Sequence, residues 1–512
     1  MPGSAVRKSA TSTPIASTAK GRRRAITVVA ASLVTVLLAA GYVAADIVDL
    51  VPGLLTVSGV TVTTPLEAIP AATLVGTAKR NVPIDVAKAN ALINRFGAAE
   101  GVGAQYSFAI ADDNGSVVAG HAVGAPREPA STLKTLTALA AASALDMGST
   151  FSTSTMLDQS PAGVVTLTLK GGGDMLLGRG ASDPAHVNGR AGLATLADES
   201  VQALRQRGIG SVRLTYDDTL FGAQRTPSNS AENNPDNLYF TPISAMAIDG
   251  GRTWPGSRRP KNPDTYESYP PLSTTTAADA ARAFAGLLED RGITIEGPVR
   301  SGTAPAGISP LASVHSAALG EVLGFALRHS DNTLAEEFGR LLALRADSHR
   351  GGVGGDGSGN TKSNSAKSDN GSQNSPAGAV AAVRRELEHL GIDLSSVTMA
   401  DCSGLSPGSS ISAATLAQVQ ARNLSAGAGA EAGEGLSMPG LVGTAIERLG
   451  DPDAAGLLRV KTGSLGHVTA IVGNVSRTNG GTLAFAIIVN GTDDAAAAKH
   501  AVDKAISAMI GL

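Results

Sequence analysis

Three short motifs follow one another along this 512-residue chain: S-T-L-K at residues 131–134, S-D-N at residues 330–332 and K-T-G at residues 461–463. Each pattern alone is weak, because short motifs also recur by chance. The surrounding sequence predicts that the first begins an Ala/Leu-rich helix, the second joins two amphipathic helices and the third lies in a strand. Order, spacing and local structure therefore agree, and the three motifs constrain the fold jointly.

The first motif places a hydroxyl beside an amine. Residues three apart share one face of a helix, so Ser131 and Lys134 can form a direct hydrogen bond. A serine hydroxyl is a weak nucleophile until a neighbouring group removes its proton. Lys134 can do so only when neutral, and we expect a second cation, Lys461, to lower its pKa. In the order S-x-x-K, S-D-N, K-T-G, this pair indicates acyl transfer through a serine ester.

The second motif has two interpretations. In a catalytic site, Ser330 would shuttle a proton and the Asn332 amide would recognise the substrate. In a purely structural interpretation, Ser, Asp and Asn are favoured caps at the start of a helix. The same tripeptide recurs at residues 368–370, but within a low-complexity segment that cannot hold a rigid site.

The third motif occurs once and is the most specific of the three. Lys461 and Thr462 could hold a substrate carboxylate, and Gly463 would let the substrate approach the strand closely. The Ser464 N–H could join the Ser131 N–H in an oxyanion hole. The alternative is a solvated strand end with a turn glycine.

The N-terminal region predicts export. Residues 1–24 form a basic, cytoplasmic tail, and residues 25–45 form an apolar run long enough to span a bilayer. We expect an uncleaved anchor, or a signal segment cleaved near Ala45, with the rest of the chain outside the membrane. A net charge of −3 gives no reason to expect nucleic acid, and no Cys/His cluster suggests a metal or other cofactor.

The remaining chain divides by composition. Residues 46–82 are predicted to be a spacer, 83–155 the first part of a catalytic domain, 156–305 inserted β-rich domains, and 306–512 the second catalytic part. Residues 350–377 have almost no apolar content and predict a disordered insertion, and residues 425–437 predict a second, shorter loop.

Four further stretches accompany the motifs: residues 169–174 (L-K-G-G-G-D), 216–221 (Y-D-D-T-L-F), 401–406 (D-C-S-G-L-S) and 461–465 (K-T-G-S-L). With them, residues 85–512 resemble the low-molecular-mass penicillin-binding proteins of the DacB-type D-alanyl-D-alanine carboxypeptidase/endopeptidase family. Cys402 stands where that family usually has glycine.

The resemblance implies an α+β fold, with a β-lactamase/transpeptidase-like domain whose antiparallel sheet is flanked by helices. It implies cleavage of the terminal D-Ala of peptidoglycan stem peptides, or of D-Ala–diaminopimelate cross-links, with β-lactams as inhibitors. It also implies that Asp217 lies near the site and reads the amine of diaminopimelate. Two alternatives stay open: a serine β-lactamase or esterase on the same scaffold, and a non-catalytic, membrane-tethered peptidoglycan-binding protein.

Overall fold

The structure, a computed structural model, describes residues 32–43, 82–159, 165–254, 259–265, 269–351, 373–425, 427–449, 454 and 456–512. The chain forms two compact units, Met1–Gly76 and Thr77–Leu512. In the first unit, residues 32–43 form a helix with exposed side chains. No helix within the described ranges combines the length and hydropathy that a membrane crossing requires. The predicted tail 1–24, parts of the predicted membrane segment 25–45 and nearly all of the spacer 46–82 lie outside the described residues.

The centre of the second unit is a sheet of strands from both ends of the chain: β1 (Tyr106–Ala111), β2 (Val117–His121), β11 (Leu458–Leu465), β12 (Val468–Ser476) and β13 (Thr482–Asn490). They are antiparallel in the order β11-β12-β13-β1-β2. The central strand β13 is apolar on both faces because both faces are covered: Ala486 and Ile488 pack into one core, and Phe485 and Ile487 into another.

Helices cover both faces of this sheet. On one face lie α1 (Val86–Gly97) and α10 (Ala495–Met509). The helices of the other layer are α2 (Lys134–Ala144), α5 (Leu319–His329), α6 (Asn332–Gly351), α7 (Pro376–His389), α8 (Ala413–Arg422) and α9 (Ala428–Glu434). The predicted antiparallel sheet flanked by helices is confirmed.

A second sheet contains β3 (Thr150–Gln159), β4 (Val165–Lys170), β6 (Ser211–Asp217), β8 (Thr294–Ile295), β9 (Arg300–Ser301) and β10 (Ala312–Ala318). Its order is β10-β3-β4-β6-β8, with β9 also pairing with β6. A two-stranded ribbon, β5 (Asp174–Leu177) with β7 (Met246–Ile248), adjoins it. Helices α3 (Leu193–Gln206) and α4 (Thr276–Glu289) pack on the second sheet. We call these elements and the segments that join them the inserted module.

The structure adds detail to some local predictions and corrects one. The inserted module, predicted to be β-rich, also contains two helices, and its strand pairs β4–β6 and β6–β8 are parallel. The prediction of a loop at residues 425–437 was wrong, since Ala428–Glu434 is helical and its small residues Gly429, Ala432 and Gly433 are buried. Of the predicted insertion 350–377, residues 352–372 lie outside the described residues, and the flanking helices end at Gly351 and begin at Pro376. The domain boundaries stay predictions.

Candidate active site

Ser131 lies in a tight turn at the start of α2. A short 3₁₀ helix, Ala130–Leu133, leads directly into that helix. Ala130 has a φ of 48°, a left-handed conformation that side chains rarely adopt. The turn at residues 401–406 presses against it, since a Cβ on Gly404 would lie 2.1 Å from the Ala130 carbonyl oxygen. Strained backbone of this kind is typical of a functional site whose surroundings hold it in place.

The Lys134 amine is held by three oxygens. Its Nζ donates to Ser131 Oγ at 2.9 Å, to Asn332 Oδ1 at 2.6 Å and to the Ser403 carbonyl at 2.7 Å. The side chain is almost completely buried, with 1% of its surface exposed. The hydrogen bond between Lys134 and Ser131 is the one that the sequence predicts, and the contact with Asn332 brings the second motif to the same amine.

The pKa of Lys134 is lowered from 10.5 to about 8. Burial is the cause, and the carboxylates of Asp401, Asp331 and Glu336 oppose it. At pH 7 this shift increases the neutral fraction of the amine about 300-fold. We expected the Lys461 charge to lower this pKa. The electrostatic effect between the two lysines is instead seen on Lys461, whose pKa is held well below its usual value by burial and, to a smaller extent, by the Lys134 charge.

Lys461 brings the third motif to the second. Its Nζ donates to Ser330 Oγ at 2.9 Å and to the Thr462 carbonyl at 2.8 Å, and its side chain is fully buried. Ser330 has a φ of 54° at the end of α5. Asp331 accepts from the Leu334 N–H at 3.0 Å and so caps α6. The capping interpretation of the second motif is therefore confirmed through Asp331, whereas the catalytic roles of Ser330 and Asn332, which contact the two lysines, stay predictions.

Strand β11 is an edge strand of its sheet, and its residues Thr462 and Ser464 line the cleft. Val460 exchanges two backbone hydrogen bonds of 2.8 Å with Ser437, on the side away from β12. Because backbone groups alternate along a strand, the N–H and C=O groups of Thr462 and Ser464 face this same side. The Ser464 N–H therefore faces away from β12, as an oxyanion donor on this strand must. The same edge can accept an extended peptide.

Gly463 lies against the turn that carries Ser131. A Cβ there would lie 2.8 Å from the Pro129 carbonyl oxygen, 3.1 Å from Thr132 N and 3.2 Å from Ser131 N. The glycine therefore lets β11 approach the turn that carries Ser131, and its predicted role in letting the substrate approach the strand stays a prediction.

These groups open into a cleft of about 660 Å³. Ser131, Ser330, Asn332, Thr462 and Ser464 line it. The inserted module supplies much of the facing wall, including Asn233, Leu238, Tyr239 and Tyr269. In the described part of the chain, no group of three or more His, Cys, Asp or Glu side chains is arranged to hold a metal ion.

Sequence reasoning missed two backbone contributors to the site. The Ser403 carbonyl binds Lys134, and Asp401 shapes that turn by accepting from the N–H groups of Gly404 and Ser406. The sequence of residues 401–406, D-C-S-G-L-S, indicates a turn, but it does not indicate that a carbonyl of this turn binds Lys134. The Tyr239 carbonyl accepts from Asn332 Nδ2 at 2.7 Å, and no sequence pattern indicates that contact.

Asp217 is not among the residues that line this cleft, and its role in reading the amine of diaminopimelate stays a prediction. It ends β6 with 5% of its surface exposed. Its carboxylate accepts from the N–H groups of Thr219 and Ala304, at 3.0 and 2.8 Å, and from the Thr219 hydroxyl. These hydrogen bonds hold the pKa of Asp217 below its usual value against the opposing effect of burial. The carboxylate stabilises local turns of the inserted module.

A nucleophilic serine beside a buried lysine, with a second lysine and serine opposite, defines an enzyme that transfers acyl groups through a serine ester. The chain matches the D-Ala-D-Ala carboxypeptidase 3 (S13) family over residues 97–269, 271–354 and 363–509. It therefore belongs to this family.

Individual relatives agree with this assignment. Carboxypeptidase DacB of Mycolicibacterium smegmatis is 31% identical over 377 residues, which cover 71% of this chain and 72% of that protein. A carboxypeptidase of Mycobacterium tuberculosis is 32% identical over 381 residues, 71% of each chain. The fold resembles the crystal structure of penicillin-binding protein 4 (dacB) from Haemophilus influenzae, with a TM-score of 0.63 and 19% identity, covering 84% of this chain and all of that one.

Proposed function

We propose that this chain is a serine DD-peptidase that hydrolyses the terminal D-Ala-D-Ala bond of peptidoglycan stem peptides through an acyl-enzyme at Ser131. The observation that carries this proposal is the 2.9 Å contact between Lys134 Nζ and Ser131 Oγ, in a lysine whose pKa burial lowers to about 8. The carboxypeptidase names of the mycobacterial relatives support the same reaction.

Acylation follows from the geometry of the first motif. Neutral Lys134 accepts the Ser131 proton, and Oγ attacks the carbonyl carbon of the penultimate D-Ala. The N–H groups of Ser131 and Ser464 would stabilise the oxyanion. As the peptide bond breaks, the amine of the leaving D-Ala takes the hydroxyl proton of Ser330, and the proton that Lys134 took from Ser131 restores that hydroxyl, so that Lys134 is neutral again. Water then hydrolyses the ester and regenerates the serine.

Substrate binding uses the edge of β11. The stem peptide would add as an extended strand beside Thr462 and Ser464, and the Asn332 amide would orient it. Thr462 lies at the cleft surface, whereas Lys461 is buried behind it. We therefore assign contact with the terminal carboxylate to Thr462, and to Lys461 the support of Thr462 from behind through its hydrogen bond to the Thr462 carbonyl.

β-Lactams would acylate Ser131, because they present a strained amide to the same nucleophile. The Haemophilus penicillin-binding protein 4 has been solved in complex with a β-lactam, with a TM-score of 0.56 and 18% identity to this chain. We also propose that the enzyme works outside the cytoplasmic membrane, anchored by residues 25–45 or released by cleavage near Ala45. The basic tail and the apolar run that follows it support this location.

Release of D-Ala from a pentapeptide ending in D-Ala-D-Ala tests the proposal. The wild-type chain should release one D-Ala per peptide, and Ser131→Ala should release none above background. Wild-type release by Ser131→Ala would refute the assignment. Cross-linked muropeptides assayed in parallel measure cleavage of D-Ala–diaminopimelate bonds. Rapid, repeated turnover of penicillin without D-Ala release would favour a β-lactamase instead.

A further inference from the structure

An ion pair joins the inserted module to the second motif. Arg252 Nη2 lies 3.0 Å from Asp331 Oδ2, and the two side chains are only 9% and 10% exposed. Asp331 is the middle residue of S-D-N, between Ser330, which binds Lys461, and Asn332, which binds Lys134. A shift at Asp331 would therefore move both groups that face the two lysines.

The turn before Arg252 is built to present it. Asp249, Gly250 and Gly251 have φ values of 52°, 62° and 79°, all in the left-handed region. A Cβ on Gly250 would lie 2.3 Å from Arg252 Nη1, so a glycine makes room for the guanidinium. Arg252 Nη1 also donates to the Asp249 carbonyl at 3.0 Å.

Asp249 is itself held from two sides. Its carboxylate accepts from Trp254 Nε1 at 2.6 Å and from Asn188 Nδ2 at 2.7 Å. These contacts fix the turn that carries Arg252, so the guanidinium approaches Asp331 from a supported position.

Other contacts hold the segment that contains Asp331, residues 331–333, against the inserted module. Thr241 N–H donates to Thr333 Oγ1 at 3.1 Å, and Thr333 Oγ1 donates to the Thr241 carbonyl at 3.3 Å. With the bond from Asn332 to the Tyr239 carbonyl, three successive residues of the motif segment, 331–333, are tied to this module. Arg252 differs from these partners because it carries a charge next to the catalytic groups.

We propose that Arg252 is a positioning residue for acylation: its ion pair with Asp331 keeps Ser330 and Asn332 in register with Lys461 and Lys134. The inserted module is then part of the catalytic apparatus and not only a wall of the cleft. This inference rests on the proposed acylation of Ser131.

The ion pair also affects the base electrostatically. The Asp331 charge raises the pKa of Lys134, as do Asp401 and Glu336, whereas burial lowers it. Lys461 also interacts with Lys134 electrostatically, and the Lys134 charge helps to lower the pKa of Lys461. Around Asp331 itself lie Arg252, His329, Tyr269 and Glu337. Without Arg252, the Asp331 charge would be uncompensated and would raise the pKa of Lys134 further.

The test is the second-order rate constant for acylation of the full chain by benzylpenicillin, measured as a function of pH. Arg252→Met should lower this constant at pH 7 by about tenfold to a hundredfold, because a displacement of about 1 Å has such effects. It should also move the acid limb of the profile to higher pH. Asp331→Asn keeps a cap oxygen but removes the charge, so its acid limb should move to lower pH.

Two variants separate positioning from loss of folding. Arg252→Lys keeps the charge and should recover much of the rate lost in Arg252→Met. Arg225→Met is the matched control, since Arg225 pairs with Asp218 in the same module but does not line the cleft. It should lower the melting temperature and leave the pH profile unchanged.

The outcomes separate the two levels of the proposal. If wild type is acylated and Arg252→Met has the wild-type profile, or one no different from Arg225→Met, the positioning role is refuted while the proposed function stands. The positioning role is also refuted if the acid limbs of the two pH profiles, for Arg252→Met and for Asp331→Asn, shift in the same direction. If wild type is never acylated, the proposed function fails and this role fails with it.

Discussion

The contact between β11 and the nucleophile turn predicts the effect of Gly463→Ala. A new Cβ would lie 2.8 Å from the Pro129 carbonyl oxygen, so strand and turn must separate by about 0.5 Å to reach ordinary contact. The φ of Gly463 is not in the left-handed region, so alanine strains only the packing and not the backbone. Overpacking of this kind costs about 1–3 kcal/mol of stability.

The same separation would pull the two proposed oxyanion donors, the N–H groups of Ser131 and Ser464, apart. Because a misplacement of about 1 Å can cost about a hundredfold in rate, half that distance predicts a loss of about tenfold. The assay is acylation of Ser131 by benzylpenicillin, followed by intact mass over time, with thermal unfolding measured in parallel.

Gly286→Ala provides the control. Gly286 lies within α4, and nothing approaches its Cβ position within 4 Å. Alanine there should stabilise the chain by up to about 1 kcal/mol and leave acylation unchanged. Acylation of Gly463→Ala at the wild-type rate would refute the reasoning, because the close approach would then have no part in aligning the site.

Three further predictions follow from other residues. Lys134→Met should lower the acylation rate by about 10²–10⁴-fold, because it removes the base. Only the neutral amine is a base, so the wild-type rate should rise with pH through an apparent pKa of about 8. A wild-type rate that does not depend on pH would contradict this role. Burial raises the pKa of Asp174 from 3.8 to about 7, so between these pH values the folded state keeps a proton that the unfolded chain has lost. The free energy of unfolding should therefore fall as the pH rises from about 4 to 7, by at most about 4 kcal/mol. Asp174→Asn lacks this term, and its melting temperature relative to wild type should increase over that range; a constant difference would contradict the assignment. Asp217→Asn should leave D-Ala release unchanged while lowering the melting temperature, because its carboxylate holds local turns, and a selective loss of activity on diaminopimelate substrates would instead support the predicted role of Asp217 in reading that amine.

Local geometry explains what could be predicted from the sequence. Ser131 and Lys134 had to meet once a helix started there, because residues three apart share a face. The alternation of small and large apolar residues in β13 predicts a strand, and its lack of polar positions fits a strand covered on both sides. The helices on either side of S-D-N likewise follow from their apolar periodicity.

Long-range contacts explain what could not. The carbonyls of Ser403 and Tyr239 bind Lys134 and Asn332, but every residue has a carbonyl, so no side-chain pattern identifies them. The sequence does not settle the role of Asp217, because a carboxylate after a strand has the same sequence signature whether it stabilises a turn or reads a ligand. The pKa of Lys134 is lowered by burial, and only the assembled fold determines how deeply a side chain is buried.

The most direct test of the central claim is intact-mass analysis of the full chain with excess benzylpenicillin over time. We expect one lasting adduct of penicillin mass on the wild-type chain, located on Ser131 by peptide mapping and absent from Ser131→Ala. No adduct on wild type, or an adduct that persists in Ser131→Ala, would contradict it.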